Sequence, residues 1–463
     1  VVPAIEVVDA IVVGMGPGGE SVAGELAAAG LSVVGVESGL VGGECPYFGC
    51  VPSKMMIRAG NALAEARRVP GLAGTASVVP DWAPVAARIR DEATDNWDDA
   101  AAAKRFTDAG GRLVRGTGRL TGVRHVTITT HDGGELTFRA RRAVVLNPGT
   151  DPAIPSVPGL AGTPFWTNRE AVRATLAPES LAVWGAGPIG MELAQAFARF
   201  GTKVTMVVRG AHLASREEPE TAELLEHVFA REGIEVLTNT TITGVEHSAA
   251  GFTLALDGPG ATTLAAEKFL VATGRASKLG KLGLDQAGIA YDGRTPPAVD
   301  DHLQLGHNLY LIGDAVGAGA FTHMSMYHAN IVAGHVLGED RGTAESHAVP
   351  RVTFTDPEAG AVGLTERQAR AAGLAVRTGY VELADSTRGW IHKSGNDGFI
   401  KVIEDSATGV LVGATSVGPH GGEVLSALAL AVHARVPVAT LKTMVYAYPT
   451  FHRAIEAAVR AIK

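Results

Sequence analysis

Two cysteines, Cys45 and Cys50, lie in the stretch GGECPYFGCVPSK, and they are the only two in a chain of 463 residues. A pair of thiols so placed, in a glycine-rich turn, can form a redox disulfide, hold a metal, or sit inert in a core. A structural zinc site wants four ligands at tight spacings, and no second cysteine pair is present. Burial as two small hydrophobes stays open on spacing alone. The opening VVPAIEVVDAIVVG has no cationic segment ahead of an apolar one and no run of membrane-spanning length. The expected location is therefore cytoplasmic and reducing, where paired cysteines are more often catalytic or metal-binding than structural.

The elements around the pair are nucleotide-binding elements. In DAIVVGMGPGGESVAGELAAAGLSVVGVE, a buried strand over Asp9–Val13 runs into a turn carrying Gly14, Gly16 and Gly19. A helix reaches to Gly30, and a second strand ends at Glu37. The glycines permit a tight turn and close approach of pyrophosphate to the helix N-terminus, while the acid accepts from a ribose hydroxyl. The same grammar returns in LAVWGAGPIGMELAQAFARFGTKVTMVVRG, with Gly185, Gly187 and Gly190. Two dinucleotide sites in one chain imply a relay, most simply a resident flavin (FAD) and a visiting nicotinamide. The step from Gly30 to Glu37, repeated from Gly201, lands on Val208 and then Arg209. The second site thus lacks the acid that would repel a 2′-phosphate and offers a guanidinium that can pair with one, with Arg216 downstream to assist. NADPH is expected over NADH.

With both nucleotide units in view, GGECPYFGCVPSK resembles the GGTCxxxGCxPSK signature of the pyridine nucleotide–disulfide oxidoreductases, class I, which include glutathione reductase, dihydrolipoamide dehydrogenase and mercuric reductase. LYLIGDAVG around Asp314 resembles the second flavin motif, VATGR with Gly274 the turn closing the nucleotide insert, and VTFTDPEAGAVGLTE the start of the dimerisation domain. The resemblance covers essentially the whole chain and implies an α/β fold: two Rossmann-like domains, for FAD and NAD(P), plus a C-terminal α+β dimerisation domain. It implies an FAD domain over 1–149 resuming at 276–341, an NAD(P) domain at 150–275 and an interface domain at 342–463. It further implies a homodimer in which one partner completes the other's active site. Cys50 becomes the flavin-proximal, charge-transfer thiol and Cys45 the interchange thiol that attacks substrate. Lys54, on the helix beginning near Cys50, pairs with Glu192 beside the flavin. A helix N-terminus lowers a thiol's pKa, and a cation there meets the charge that a reduced flavin gains.

Departures from the family pattern set the open questions. LNPGTDP replaces the first ATG turn, a change expected only to preserve the turn. The family's HPTxxE acid–base dyad reads YPTFHRAIE here, with Tyr448 in the His position and Arg453 in the Glu position. His452 lies one residue before the Glu position and Glu456 three after it; on a helix starting near Pro449 they point in different directions, which weighs against a relocated dyad. A histidine suits proton transfer at neutral pH far better than a tyrosine, whose reference pKa is near 10. The acceptor is expected to be a small-molecule disulfide or another acceptor needing little proton help. Quinone or metal-ion reduction, a ketopropyl-coenzyme M-like carbanion reaction and a non-enzymatic flavin redox sensor are the alternatives. Metal reduction is weakened by the lack of the second cysteine pair that mercuric reductases carry. A net charge of −8 with no basic block argues against nucleic-acid and membrane-surface partners, and no resident metal site is expected.

Overall fold

The computed structural model describes residues 5–463, which divide into two compact units. One unit comprises the segment ending at Pro52, then Ile89–Pro152 and Arg275–Ser346. The other comprises Ser53–Arg88, Ala153–Gly274 and His347–Lys463.

The first unit is built on a parallel sheet. Strand Ile5–Val13 lies at its centre, with Val33–Glu37 on one side and Glu135–Leu146 on the other. Arg112–Gly122 and Leu309–Leu311 extend the sheet outward in parallel. Helices cover one face, where Ala10, Val12 and Val145 meet Val22, Leu26, Phe106, Ile331 and Val332. Ile11, Val13, Val34, Val36 and Val144 point to the other face and fill a second core. Burial on both faces explains why these strands are continuous apolar runs without alternation. A short antiparallel ribbon pairs Thr150–Pro152 with Arg275–Ser277, where the chain leaves and re-enters this unit.

The second unit repeats the parallel plan and adds an antiparallel layer. Lys268–Val271, Ser180–Trp184, Lys203–Val207 and Glu235–Leu237 lie side by side in parallel. A three-stranded meander, from Thr241–Ser248 to Thr263–Ala266, packs with them around Trp184, Phe252 and Phe269. Five antiparallel strands between Pro350 and Gly418 carry helices Gly421–His433 and Ala454–Arg460 on a core of Ile400, Val402, Leu428 and Ala458. The first strand begins four residues earlier than the sequence indicates, at Ile5. The last helix begins at Ala454 and not near Pro449. Thr450 causes that delay: its hydroxyl donates to the Ala447 carbonyl and accepts from the Arg453 N–H, a side-chain turn that competes with helix.

A buried charge cluster ties the layers of this unit together. Lys401 on strand Phe399–Asp405 places Nζ 2.9 Å from Glu218, 2.7 Å from Glu220 and 3.0 Å from Glu366. Burial works against the ammonium, but the three carboxylates outweigh it and hold it protonated. Removing the cation would leave three carboxylates facing one another with Glu218 buried, a cost below the roughly 3–5 kcal/mol of breaking a fully buried pair. Lys401→Met is therefore expected to lower the unfolding temperature markedly at neutral pH. An unchanged unfolding temperature in a thermal scan contradicts this account.

Candidate active site

The glycine turn of the first unit is fixed by backbone crowding. Gly14 has φ +94°, and a Cβ there would lie 2.1 Å from the Asn147 carbonyl oxygen. A Cβ on Gly19 would meet the Gly14 carbonyl oxygen, and one on Gly18 the Ser325 hydroxyl. Helix Pro17–Ala28 starts from Gly16 with no side-chain cap, so its first N–H groups face outward. Glu37 closes the next strand with one carboxylate oxygen accepting from Met15 N–H at 2.7 Å and the other from Gly39 N–H at 2.6 Å. An uncapped helix N-terminus, glycines that leave no room for Cβ, and a strand-end acid are what a dinucleotide pyrophosphate and ribose need. These residues fit FAD.

The cysteine turn is pressed against that glycine turn. A Cβ on Gly43, where φ is +67°, would stand 2.9 Å from the Gly16 Cα, and Gly42 N–H donates to the Met15 carbonyl at 2.7 Å. Cys45 lies in a separate helical turn, Glu44–Tyr47, and only Cys50 opens the long helix Cys50–Arg68. The long helix begins at Cys50, and Phe48 and Gly49 separate it from the turn of Cys45. Both are free thiols. The hydrogen bond with Cys50, then burial, then the charge on Cys50 push the Cys45 thiol far up, while the Thr322 hydroxyl pulls it down. Cys45 therefore holds its proton more tightly than an ordinary thiol. Thr322 Oγ1 is 3.4 Å from Cys50 Sγ.

Three residues that sequence reasoning missed brace this region. Asn147, in the LNPGTDP departure, donates from Nδ2 to the Gly14 carbonyl at 3.2 Å and accepts from Ser325 at 3.4 Å. That replacement does more than preserve a turn. Arg275 donates to the Thr150 hydroxyl and carbonyl at 3.0 and 2.6 Å, Thr150 donates to Asp314 at 2.8 Å, and Arg275 lies 3.7 Å from Glu44 beside Cys45. His328 is buried, which lowers its pKa to about 4, so its neutral Nδ1 accepts from the Gly313 N–H at 3.2 Å and steadies the turn before Asp314.

In the second unit, Lys54 Nζ is 2.7 Å from Glu192, whose other oxygen accepts from Phe354 N–H at 2.9 Å. The Lys54 ammonium also stands 4.5 Å above the Phe354 ring. The second glycine turn matches the first: Gly185 has φ +144°, with a would-be Cβ 2.2 Å from the Ala272 carbonyl oxygen. Gly187 starts helix Pro188–Arg199 without a side-chain cap, and Gly190 packs on Gly185. Gly274 has φ +140°, beside the ribbon. Val208 is buried, while Arg209 and Arg216 are exposed. At the C-terminal end, Tyr448 is 65% exposed, with the Arg453 guanidinium 5.4 Å from its ring. Glu456 is taken by Arg460 at 3.0 Å and Arg453 at 3.4 Å, and His452 packs on Tyr446.

Residues 8–331 match the family model of the pyridine nucleotide-disulphide oxidoreductases, and residues 349–459 match that family's dimerisation domain. The chain belongs to the pyridine nucleotide–disulfide oxidoreductases. Among its relatives is a mercuric reductase from Acidithiobacillus ferrooxidans, 33% identical over 96% of this chain and 81% of the relative. A dihydrolipoyl dehydrogenase from Thermus scotoductus is 30% identical over 98% and 97% of the two chains. Among solved structures, LpdA from Mycobacterium tuberculosis superposes with a TM-score of 0.85 at 26% identity, covering 98% and 99%. The HOCl-induced flavoprotein disulfide reductase RclA from Escherichia coli shares the fold, with a TM-score of 0.84 at 23% identity, covering 98% and 100%. The chain is thus a class I, FAD-dependent oxidoreductase that takes electrons from a pyridine nucleotide. Among the described residues no helix is long and apolar enough to cross a membrane.

The Lys54–Glu192 pair carries its own expectation. Glu192 is only 5% exposed, so its charge depends on the ammonium and on the Phe354 N–H. A double-mutant cycle of Lys54→Met and Glu192→Gln, followed by thermal unfolding, should give a coupling of about 1–3 kcal/mol, as for contacting polar pairs. Additive losses would show that the pair does not hold this site together.

Proposed function

We propose that this oxidoreductase passes electrons from NADPH, through FAD, to the Cys45–Cys50 disulfide and on to an acceptor whose reduction needs little proton help. FAD, held by the Gly14–Gly19 turn, Glu37 and Asp314, would supply the two-electron step from nicotinamide to disulfide. The rest falls to the chain's own side chains. In the dithiol, Cys45 passes its proton to the hydrogen-bonded Cys50 thiolate as its sulfur attacks a substrate disulfide, forming a mixed disulfide and releasing one thiolate. That thiolate takes the proton back from Cys50. Cys50 sulfur then attacks Cys45 sulfur, releases the second thiolate and restores the internal disulfide, with two electrons delivered to the acceptor. Thr322 stays beside the pair as a hydrogen-bonding partner. Lys54, held by Glu192, would place positive charge near the flavin.

The observation that carries the choice of acceptor is the state of the C-terminal motif. Tyr448 and Arg453 stand where an acid–base dyad is expected, Glu456 is committed to two arginines, and His452 packs on Tyr446. A positioned acid–base is worth about 10²- to 10⁴-fold, so alkyl disulfides such as glutathione disulfide or lipoamide should turn over poorly. Aryl disulfides with acidic leaving thiols, or quinones, should serve better. A second reading, metal-ion reduction, is favoured by the mercuric reductase relatives and by the thiolate pair, since soft ions prefer thiolate ligands. The flavin segments would be 1–149 and 276–341, with the nicotinamide segment at 150–275. Residues 342–463 would form a homodimer placing the partner's Tyr448 at Cys45.

Reduction by NADPH should give a broad long-wavelength thiolate–flavin band, and Cys50→Ser should abolish the band while retaining flavin. In steady-state assays an aryl disulfide should outrun glutathione disulfide by about 10²-fold or more. Equal rates with the two would sink the reading, and a mercuric ion rate above both would establish the second. Arg209 tests the nucleotide choice. Loss of one charge-assisted phosphate contact costs roughly 1.5–3 kcal/mol, so Arg209→Ala should weaken NADPH by about one to two decades and leave NADH unchanged. Equal effects on both nucleotides would place discrimination elsewhere.

A further inference from the structure

The second unit contains a cleft of about 640 Å³ that the redox chemistry does not use. Four segments meet there: the last turn of helix Cys50–Arg68, the ends of helices Pro188–Arg199 and Pro219–Arg231, and the loop Lys393–Asp397. Five cationic side chains line it, Arg67, Arg68, Arg199, Arg231 and Lys393, against two carboxylates, Glu232 and Asp397. In a chain of net charge −8 that local balance is reversed.

The hydrogen-bond account is lopsided. Both oxygens of Glu232 accept from Arg199, and both oxygens of Asp397 accept from Arg231. Asp356, just behind, is shared by Arg68 and Arg199. The lining carboxylates are spent. The donors are not: Arg67 uses one nitrogen, on the Arg199 carbonyl, and among the described residues Lys393 Nζ makes no hydrogen bond or ion pair. A guanidinium has five N–H donors and an ammonium three, so the unused capacity is all of one kind. Arg68, Arg199 and Arg231 are held by their carboxylates, and Arg67 and Lys393 are free to close on a ligand.

The loop is shaped to the cleft. Lys393 adopts φ +64°, a left-handed conformation uncommon for a lysine, and Gly395 has φ +75°. A Cβ on Gly395 would stand 2.6 Å from the Arg68 guanidinium carbon, so any other residue there would push Arg68 aside. We infer that this cleft is a binding site for a small polyanion, an organic phosphate by its size and its excess of donors. Such pockets span roughly 300–1,000 Å³, and rigid guanidinium forks suit phosphate oxygens. A ligand here would touch the end of the helix that Cys50 opens, the nicotinamide-side helices and the dimerisation segment together.

Inorganic pyrophosphate is the probe. Isothermal titration of the intact FAD-loaded protein, saturated with NADP⁺ and matched for ionic strength with chloride, should show a saturable site. NADP⁺ is expected not to displace it. Arg67→Ser with Lys393→Ser should weaken pyrophosphate at least about tenfold, and Lys393→Glu alone should do the same, while NADPH oxidation is unchanged. Both residues are exposed, so the fold is expected to survive, with unchanged circular dichroism as the check. No heat beyond the chloride control, displacement by NADP⁺, or equal affinity in the variants would overturn the assignment.

Discussion

The site depends on one close approach, of the Gly43 backbone to the Gly16 backbone. No side chain fits between them, since a Cβ on Gly43 would lie 2.9 Å from the Gly16 Cα. This contact lays the cysteine turn on the dinucleotide turn, and the Gly42–Met15 hydrogen bond locks it there. Met15 in turn donates to Glu37, so the strand-end acid, the glycine turn and the redox turn form one continuous backbone assembly. Gly14 against Asn147 and Gly18 against Ser325 tighten it from the other side. An assembly made of backbone contacts has little room to relax, which suits a reaction needing sulfur and flavin in register.

Within that frame the thiols differ because their surroundings differ. Both belong to one turn and share a hydrogen bond, yet burial and the charge of its neighbour keep the proton on Cys45. The C-terminal motif, with a guanidinium over Tyr448 where a carboxylate is expected, gives no sign of a second proton carrier.

What the sequence made legible was local. Glycines at fixed steps, an acid at a strand end and two cysteines in a turn each report a backbone requirement within about thirty residues. Thr322, Asn147 and Arg275 were not legible, because their meaning comes from partners far along the chain: Cys50, Gly14 and Ser325, and Thr150 and Glu44. LNPGTDP looked like a neutral turn replacement because nothing in its neighbours shows that its asparagine reaches back to Gly14. The late start of the last helix did have a signal. The threonine in YPTFHR is a residue whose hydroxyl competes with helix for the backbone, and it does so here.

The two glycine turns set the same geometry to opposite electrostatic ends. Each has a glycine in positive φ pressed on a carbonyl oxygen, Asn147 in one and Ala272 in the other, and each leads into an uncapped helix. They part at the end of the following strand. Glu37 presents a carboxylate held by two backbone N–H groups, a fixed acceptor. At the corresponding place Val208 turns inward, and the exposed Arg209 follows it. A fixed acceptor favours a hydroxyl and rejects a phosphate, whereas a mobile cation gains most from a phosphate and little from a hydroxyl. The glycine turn is thus the same in both units, and the strand-end position is where they differ.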